Sequence, residues 1–437
     1  MASDIYQAQF EAVKSELPGA DLAWLNGLRE AGLRQVADLG LPTPKVEAWR
    51  YTNLNALRKI DFHPAPALAN GVDAVGLPPL VAAERQPLRL AFVNGRFRAD
   101  LSSLDDLPTG LTLAPLAARV DAIEGRLGGL VNEDSSPLVG LNTAMTGDGV
   151  VLEIAPDVAV ARPIELVFVG GLSDDAVAWH PRNLILAGEN CEATIVEQHV
   201  GLGGGQYFAN SVTELVVEAG ARLRHYRLQD EGAGGFHVNT LLAHIARSAV
   251  LDNFVLSLGG RLSRNEIHVR LDGPGAEVRL NGAYAMTGRQ HCDTTTFIDH
   301  ASPNTSSSEV YKGVLDEKAR AVFQGKIAVR PRAQKTDGHQ LSRALLLSPT
   351  CEIDTKPELE IFADDVKCSH GATAGELEDD ALFYLRSRGV PAAEARNMLV
   401  TAFLEEIIDE IADEQIREAF RGRVEGWLAD RVTGEAA

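Results

Sequence analysis

The chain has 437 residues, with 61 Asp and Glu against 41 Lys and Arg, a formal net charge of −20 at pH 7. Such an acidic balance argues against a non-specific grip on nucleic-acid phosphates or anionic lipid, since both need a cationic face, and 6% aromatics leave little for base stacking. Hydrophobic residues at 45% and charged residues at 23% match ordinary globular usage, so the chain can bury a core, and its length allows two to four structural units.

The four cysteines, Cys191, Cys292, Cys351 and Cys368, are far apart and form no C-x-x-C pair. That removes zinc ribbons, thioredoxin motifs and a self-contained four-cysteine cluster site, and it argues against a disulfide framework. The opening MASDIYQAQFEAVKSEL carries acids and amides where a signal peptide needs a basic and then an apolar segment, and no apolar run approaches 18 residues. The expectation is a soluble, cytoplasmic protein without membrane or nucleic-acid partners.

Three textures follow one another. Over about 3–60 the apolar residues Ile5, Phe10, Val13 and Leu17, then Leu22, Leu25, Leu28 and Leu33, recur at three- and four-residue steps, broken by Pro18-Gly19. This predicts a helical head. Residues 62–88 are rich in Pro, Gly and Ala and read as a connector, followed by a strand-like LRLAFVNGRF at 88–97.

From about 140 to 370 short β-like runs alternate with Gly, Asp, Asn and Pro, with almost no convincing helix. Runs such as ELVVEAGARLRHYRL (214–228) and IHVRLDGPGAEVRLNGAY (267–284) share a loose form: strand, tight turn, small Ala-containing step, strand. Such units cannot bury their faces alone, so they predict a sandwich or a stack of solenoid coils; small residues at the corners favour the solenoid.

Helices return from 376. Leu382, Phe383 and Leu385 lie in a short helix closed by Arg386, Arg388 and Gly389, with Pro391 beyond. Then Val400, Phe403, Leu404, Ile407, Ile408 and Ile411 form one apolar stripe, backed by Glu405, Glu406, Asp409 and Glu410. The stripe docks on its own domain or is presented to a partner. The expected domains are 1–140 (N-terminal, helical or mixed, with the Pro-rich connector), 141–372 (solenoid core) and 373–437 (C-terminal helices).

The most suggestive chemistry is DDVKCSHGATAG at 364–375. On a strand, Cys368 and His370 are two apart and project from one face, a thiol beside an imidazole, both good ligands for iron or zinc. Two donors do not close a site. Either the pair is completed elsewhere, across a subunit interface, or it is a buried Cys beside a hydrogen-bonded His. His291 and Cys292 are adjacent and point to opposite strand faces, a poor chelating pair. His300 and His339 sit near turns, where a solvated or structural role is the default. GLGGGQ (201–206) has no following Lys-Ser/Thr and reads as a loop; SPNTSSSE (302–309) reads as a turn between coils. No G-x-S-x-G, H-E-x-x-H or P-loop appears.

DVKCSHGATAG (365–375), LFYLRSRGVP (382–391), PKVEAWRYTNL (44–54), FVNGRF (92–97), HQLSRALLLSPTCEIDTKPELEIFADDVKC (339–368) and DHASPNTSSSEVYKGVLDEKARAVFQGKI (299–327) together resemble the SufB/SufD family of SUF iron–sulfur cluster assembly components. Gly371 stands where SufB has a Glu after the matching His, and Leu341 follows Gln340 where SufB has a functional Cys; both departures, and the 44–52 motif, favour the SufD branch. The resemblance implies a right-handed parallel β-helix between helical end domains. It implies pairing with a SufB-like paralogue, or a homodimer in isolation, and one SufC-like ABC ATPase on the C-terminal helical domain. His370 matches the family's functional interface histidine and Cys368 its neighbouring cysteine. An iron–sulfur cluster or iron would then be held transiently at the SufB interface, with none bound by this chain alone, and closure of the ATPases would twist the paired helices. Phe383, Tyr384, Arg386 and Phe403 are the candidate ATPase contacts. The chain itself would not be an enzyme. A β-helix acting on polysaccharide, which would need clustered carboxylates and aromatic platforms, and a purely structural solenoid are the alternatives.

Overall fold

The computed structural model describes residues 2–66, 80–132, 135–171 and 173–433; of the Pro-rich connector expected at 62–88, residues 67–79 lie outside the described residues. Through the middle of the chain, each strand pairs with the strand two places on rather than with its successor. Tyr207–Val217 pairs with Gly235–Ile245, while the intervening Arg222–Asp230 pairs with Val250–Ser257, all in parallel. Consecutive strands therefore alternate between two sheets, and the chain winds into a parallel β-solenoid of about 8 turns. Phe236, Leu262, His291, Arg320 and Glu352 pair in succession, so the repeat varies from 26 to 32 residues.

The Gly-Ala signature is a corner. Gly220 (φ 71°), Gly275 (φ 74°), Asn190 (φ 55°) and Ser248 (φ 56°) take left-handed backbone. The residue after each, Ala221, Ala276, Cys191 or Ala249, is at most 1% exposed. Corners hydrogen-bond to the next turn, Gly220 N to Arg247 O at 2.9 Å and Ser248 N to Pro274 O at 3.1 Å, so a larger side chain after the corner would hold successive turns apart. Inside, Leu215, Ala243, Val269, Ile298 and Ile327 stack in register on one sheet, each large side chain contributing about 1.5–3 kcal/mol by burial.

The solenoid begins before the β-rich texture does. Leu88–Val93 pairs with Ile164–Gly170 as an inner strand of one sheet, and Leu111–Pro115 pairs antiparallel with Val150–Ile154 at the start of the other. Helices α1 (Ala2–Val13) and α2 (Ala23–Leu39) follow the expected head. The helical expectation fails beyond Leu39: Gly40 adopts φ 66°, Pro42 and Pro44 follow, and only single 3-10 turns occur at Glu47–Trp49 and Leu57–Lys59. A third helix, α3 (Pro137–Met145), has no counterpart among the expected elements. Ser136 Oγ accepts from Leu138 N at 3.3 Å and Pro137 opens the helix. Seven of its nine residues are buried, so it has no polar face to reveal a period. Its Gly140 lies so close to α2 that a Cβ on Gly32 would stand 2.4 Å from Gly140 O.

The PKVEAWRYTNL segment straps the outer face of a sheet. The Arg264 guanidinium lies 3.9 Å from the Trp49 ring centroid and donates to Ala48 O at 2.8 Å. Arg264 also pairs with Asp293, which Thr52 hydrogen-bonds, and Lys356 Nζ reaches Glu47 Oε1 at 2.6 Å.

At the far end α4 (Asp379–Ser387), α5 (Ala392–Ile408) and α6 (Glu414–Thr433) follow the last strand. Of the two fates open to the apolar stripe, its own domain takes it: Val400, Leu404, Ile407, Ile408 and Ile411 are at most 3% exposed and cluster with Phe254, Leu256 and Val314 on the outside of the second sheet. Lys312 reaches from that sheet to the Phe403 carbonyl at 3.3 Å and to the Glu406 carboxylate. Among the described residues no helix is long and apolar enough to cross a membrane.

Candidate functional site

Lys367–Gly375 is the last strand of its sheet and pairs on one side only, with Asp337–Leu346. Glu352–Ile361 similarly ends the other sheet. The solenoid is therefore open at this end. Along the last strand Cys368 stands in register with Gly338, and His370 with Gln340. Gln340 points into the lumen, since it donates to Glu309 at 2.7 Å and a Cβ on Gly325 of the facing sheet would lie 1.9 Å from its Nε2. By the two-residue alternation of a strand, Cys368 and His370 share that inward face.

No strand stacks beyond either of them among the described residues, yet the two differ in exposure. Cys368 is half-buried and packs against the apolar core, and burial pushes its thiol above the usual value. His370 is exposed, and no hydrogen bond to its imidazole occurs among the described residues. The alternative of a buried Cys beside a hydrogen-bonded His is thus half met, by the thiol only. No group of three or more His, Cys, Asp and Glu able to hold a metal ion occurs among the described residues. The pair supplies two donors, short of the four of a closed zinc or cluster site.

The two edges differ in chemistry. Glu352–Ile361 carries Glu352, Asp354, Glu358 and Glu360 and a mid-strand Pro357, features that discourage further strand pairing. KCSHGATAG, by contrast, has one charge at its start and small residues after it. It lacks the charges and the Pro that discourage further strand pairing on the other edge.

Phe383 and Tyr384 are 73% and 57% exposed on α4, which buries none of its residues, and Arg386 is exposed beside them. Arg388 lies 5.1 Å from the Tyr384 ring centroid. Phe403 sits apart, half-buried in a cleft of about 500 Å³ between the last strand and α5, with Lys312 Nζ 4.8 Å from its ring centroid. Sequence reasoning misses Met398, 47% exposed on α5, and the exposed Ile361 and Phe362 near the open end, where Leu341 is exposed too. Apolar side chains in otherwise regular patterns carry no signal of exposure.

Three further histidines, His291, His300 and His339, stand outside the Cys368–His370 pair. His291 faces outward, 2.9 Å from Thr52 Oγ1, while Cys292 is buried. His300 is buried between Thr305 Oγ1 at 2.7 Å and Ser307 Oγ at 2.9 Å, and burial lowers its pKa to about 4. His339 is exposed, between Ser369 and Asp337. All four cysteines are free thiols.

A family model described as "SUF system FeS cluster assembly, SufBD core domain" matches residues 169–403, and one described as "SufBD protein N-terminal region" matches residues 2–166. An iron–sulfur cluster assembly SufBD family protein of Synechocystis is 32% identical, over 92% of this chain and 91% of that protein. The iron–sulfur cluster assembly protein SufD of Escherichia coli is 31% identical over 90% of each chain. The SufD of Bacillus subtilis is 28% identical over 91% of this chain and 92% of its own.

Proposed function

The chain belongs to the SufBD family of the SUF iron–sulfur cluster assembly system, and we propose that it is a SufD-type, non-catalytic scaffold subunit that pairs with a SufB-like paralogue and carries a SufC-like ABC ATPase. The observation that carries this reading is the placement of Cys368 and His370 on one face of a nearly uncharged terminal strand that pairs along one edge only. Two donors at an open edge become a complete site only when a second chain brings the remainder.

The iron or nascent cluster is the cargo of the assembly. His370 would offer an imidazole nitrogen to it, and Cys368, whose thiol is held protonated by burial, would serve as a second donor once deprotonated. The partner strand would add to Lys367–Gly375, supplying main-chain hydrogen bonds along the edge and further ligands at the register of His370. The SufC-like ATPase would dock on the C-terminal region, 373–437, against Phe383, Tyr384 and Arg386, with Phe403 at the rim of the neighbouring cleft; exposed aromatic and Arg side chains are the usual anchors of such interfaces. ATP-driven closure of two such ATPases would then twist the paired solenoids and open the shared site. The whole would operate in the cytoplasm.

Anaerobic reconstitution of the three-protein complex tests the reading. His370→Ala should leave assembly intact by size-exclusion chromatography and reduce the cluster's visible absorption at least tenfold. Undiminished cluster formation by the assembled variant would remove His370 from the site.

A further inference from the structure

The lumen of the solenoid is apolar on one side and polar on the other. Across the polar side Arg227 reaches from one sheet to the other, Nη2 to Asn265 Oδ1 at 2.6 Å, and Asn239 Nδ2 meets the same oxygen at 3.2 Å. In the same region Glu197 takes His199 at 2.6 Å and His225 at 2.9 Å, and Glu231 lies 3.0 Å from His237 Nδ1. Nearer the open end Gln340 donates to Glu309. These side chains are at most 5% exposed.

Their mutual bonds leave polar atoms unmet on turn after turn. Arg227 Nε, Gln229 Oε1, His237 Nε2 and Asn239 Oδ1 are buried with no hydrogen-bond partner among the described residues. So are Asn253 Oδ1 and Asn265 Nδ2, then Tyr284 Oη and Tyr311 Oη, and finally Gln340 Oε1 and Ser342 Oγ. They are not scattered. Gln229, Ser257 and Tyr284 form one ladder column, and Arg227, Val255, Gly282, Tyr311 and Ser342 the next. Asn253, Leu280, Glu309, Gln340 and His370 form a third, which ends on the exposed imidazole.

A dry lumen would strand these donors and acceptors between the turns of Arg227 and Ser342, whereas protein interiors satisfy such groups with buried water that makes two to four bonds each. The unmet atoms mix donors with acceptors, and the surrounding charges include both carboxylates and a guanidinium, so the site selects neither anion nor cation. Water, which is both donor and acceptor, fits this mixture. We propose that the polar half of the lumen holds a file of ordered water molecules running from the turn of Arg227 and His237 to Gln340, directly beneath His370, and opening to solvent at that end. Glu309 is bonded to Gln340, so its carboxyl lies on this file and its proton exchanges with bulk solvent without unfolding. The inference stands whether or not His370 contacts a cluster.

Infrared difference spectroscopy of the full chain against Glu309→Gln, at pH 5 where the buried carboxyl is protonated, isolates the C=O band of Glu309. On transfer to D2O that band should shift within seconds. A shift that waits for global unfolding, over hours, would overturn the water file. Gln340→Leu, which stops the mouth with an apolar side chain, should slow the shift at least tenfold; an unchanged rate would overturn the placement of the opening. Should that variant not fold, a high-resolution crystal structure of the wild-type chain decides the matter. Ordered water within hydrogen-bonding distance of Arg227, Gln229, Asn253 and Tyr311 supports the file, and an empty lumen there overturns it.

Discussion

Arg182 and Glu214 meet on the outside of the first sheet, Nη2 to Oε1 at 2.6 Å, and neither is more than 1% exposed. The pair joins three parts of the chain. Glu214 also accepts from Gly128 N at 2.7 Å and Leu130 N at 2.9 Å, while Arg182 Nη1 donates to Asn142 Oδ1 at 3.1 Å and Thr143 Oγ1 at 3.0 Å in α3. Glu214→Ala would leave the buried Arg182 guanidinium without its carboxylate, and the Gly128 and Leu130 amides without their acceptor. The expected loss is about 3–5 kcal/mol, read as a lower urea midpoint, with Glu214→Gln losing less because it keeps an acceptor oxygen.

Burial pushes the Glu309 carboxyl up to about 7 from its ordinary 4.5. The folded chain therefore holds a proton that the unfolded chain has released, so stability falls as pH rises between these values and levels off above about 7. The total is about 3 kcal/mol at most. Glu309→Gln should be more stable than wild type at pH 8 and lose most of that advantage by pH 4.5. Denaturation midpoints of the two proteins across this range check it, since contributions from other groups cancel in the difference.

Tyr284 lies across Gly313, its ladder partner, so that a Cβ there would stand 1.8 Å from the Tyr284 ring. The ring is buried and cannot swing into solvent. Gly313→Ala should cost about 1–3 kcal/mol from overpacking. Combined with Tyr284→Ala it should cost less than the sum of the two single changes, a non-additivity measurable in a double-mutant cycle.

Phe383 and Tyr384 are largely exposed, with Tyr384 packed against Arg388 just past the end of the same short helix. Phe383→Ala and Tyr384→Ala should change the melting free energy by less than about 0.5 kcal/mol. Calorimetric titration with the SufC-like ATPase should nevertheless show at least tenfold weaker binding for one or both. Undiminished affinity in both would move the docking surface elsewhere, with Met398 the next side chain to test.

Chemistry carried by adjacent residues is legible in the sequence alone. Gly220-Ala221 and Gly275-Ala276 mark corners because a left-handed residue and a small one must follow each other there. Gly389 with Pro391 closes α4 for an equally local reason, and the C-x-H spacing puts Cys368 and His370 on one strand face. α3 leaves no such signature because seven of its nine residues are buried, which erases the periodicity that marks a surface helix.

Local patterns in the residues are enough to favour a coiled middle over a sandwich, to mark corners such as Gly220-Ala221 and Gly275-Ala276, and to place Cys368 and His370 on one strand face. Which strand face becomes the lumen, that Arg227 meets Asn265 and Gln340 meets Glu309, that the 44–54 segment clamps Arg264, and that the last strand keeps one edge unpaired among the described residues follow from long-range packing. The physical reason is register. Strand alternation assigns each side chain one of two faces, but neighbours inside a solenoid are 26 to 32 residues apart, at a spacing that changes from turn to turn. Which residues meet is settled by how the corners stack.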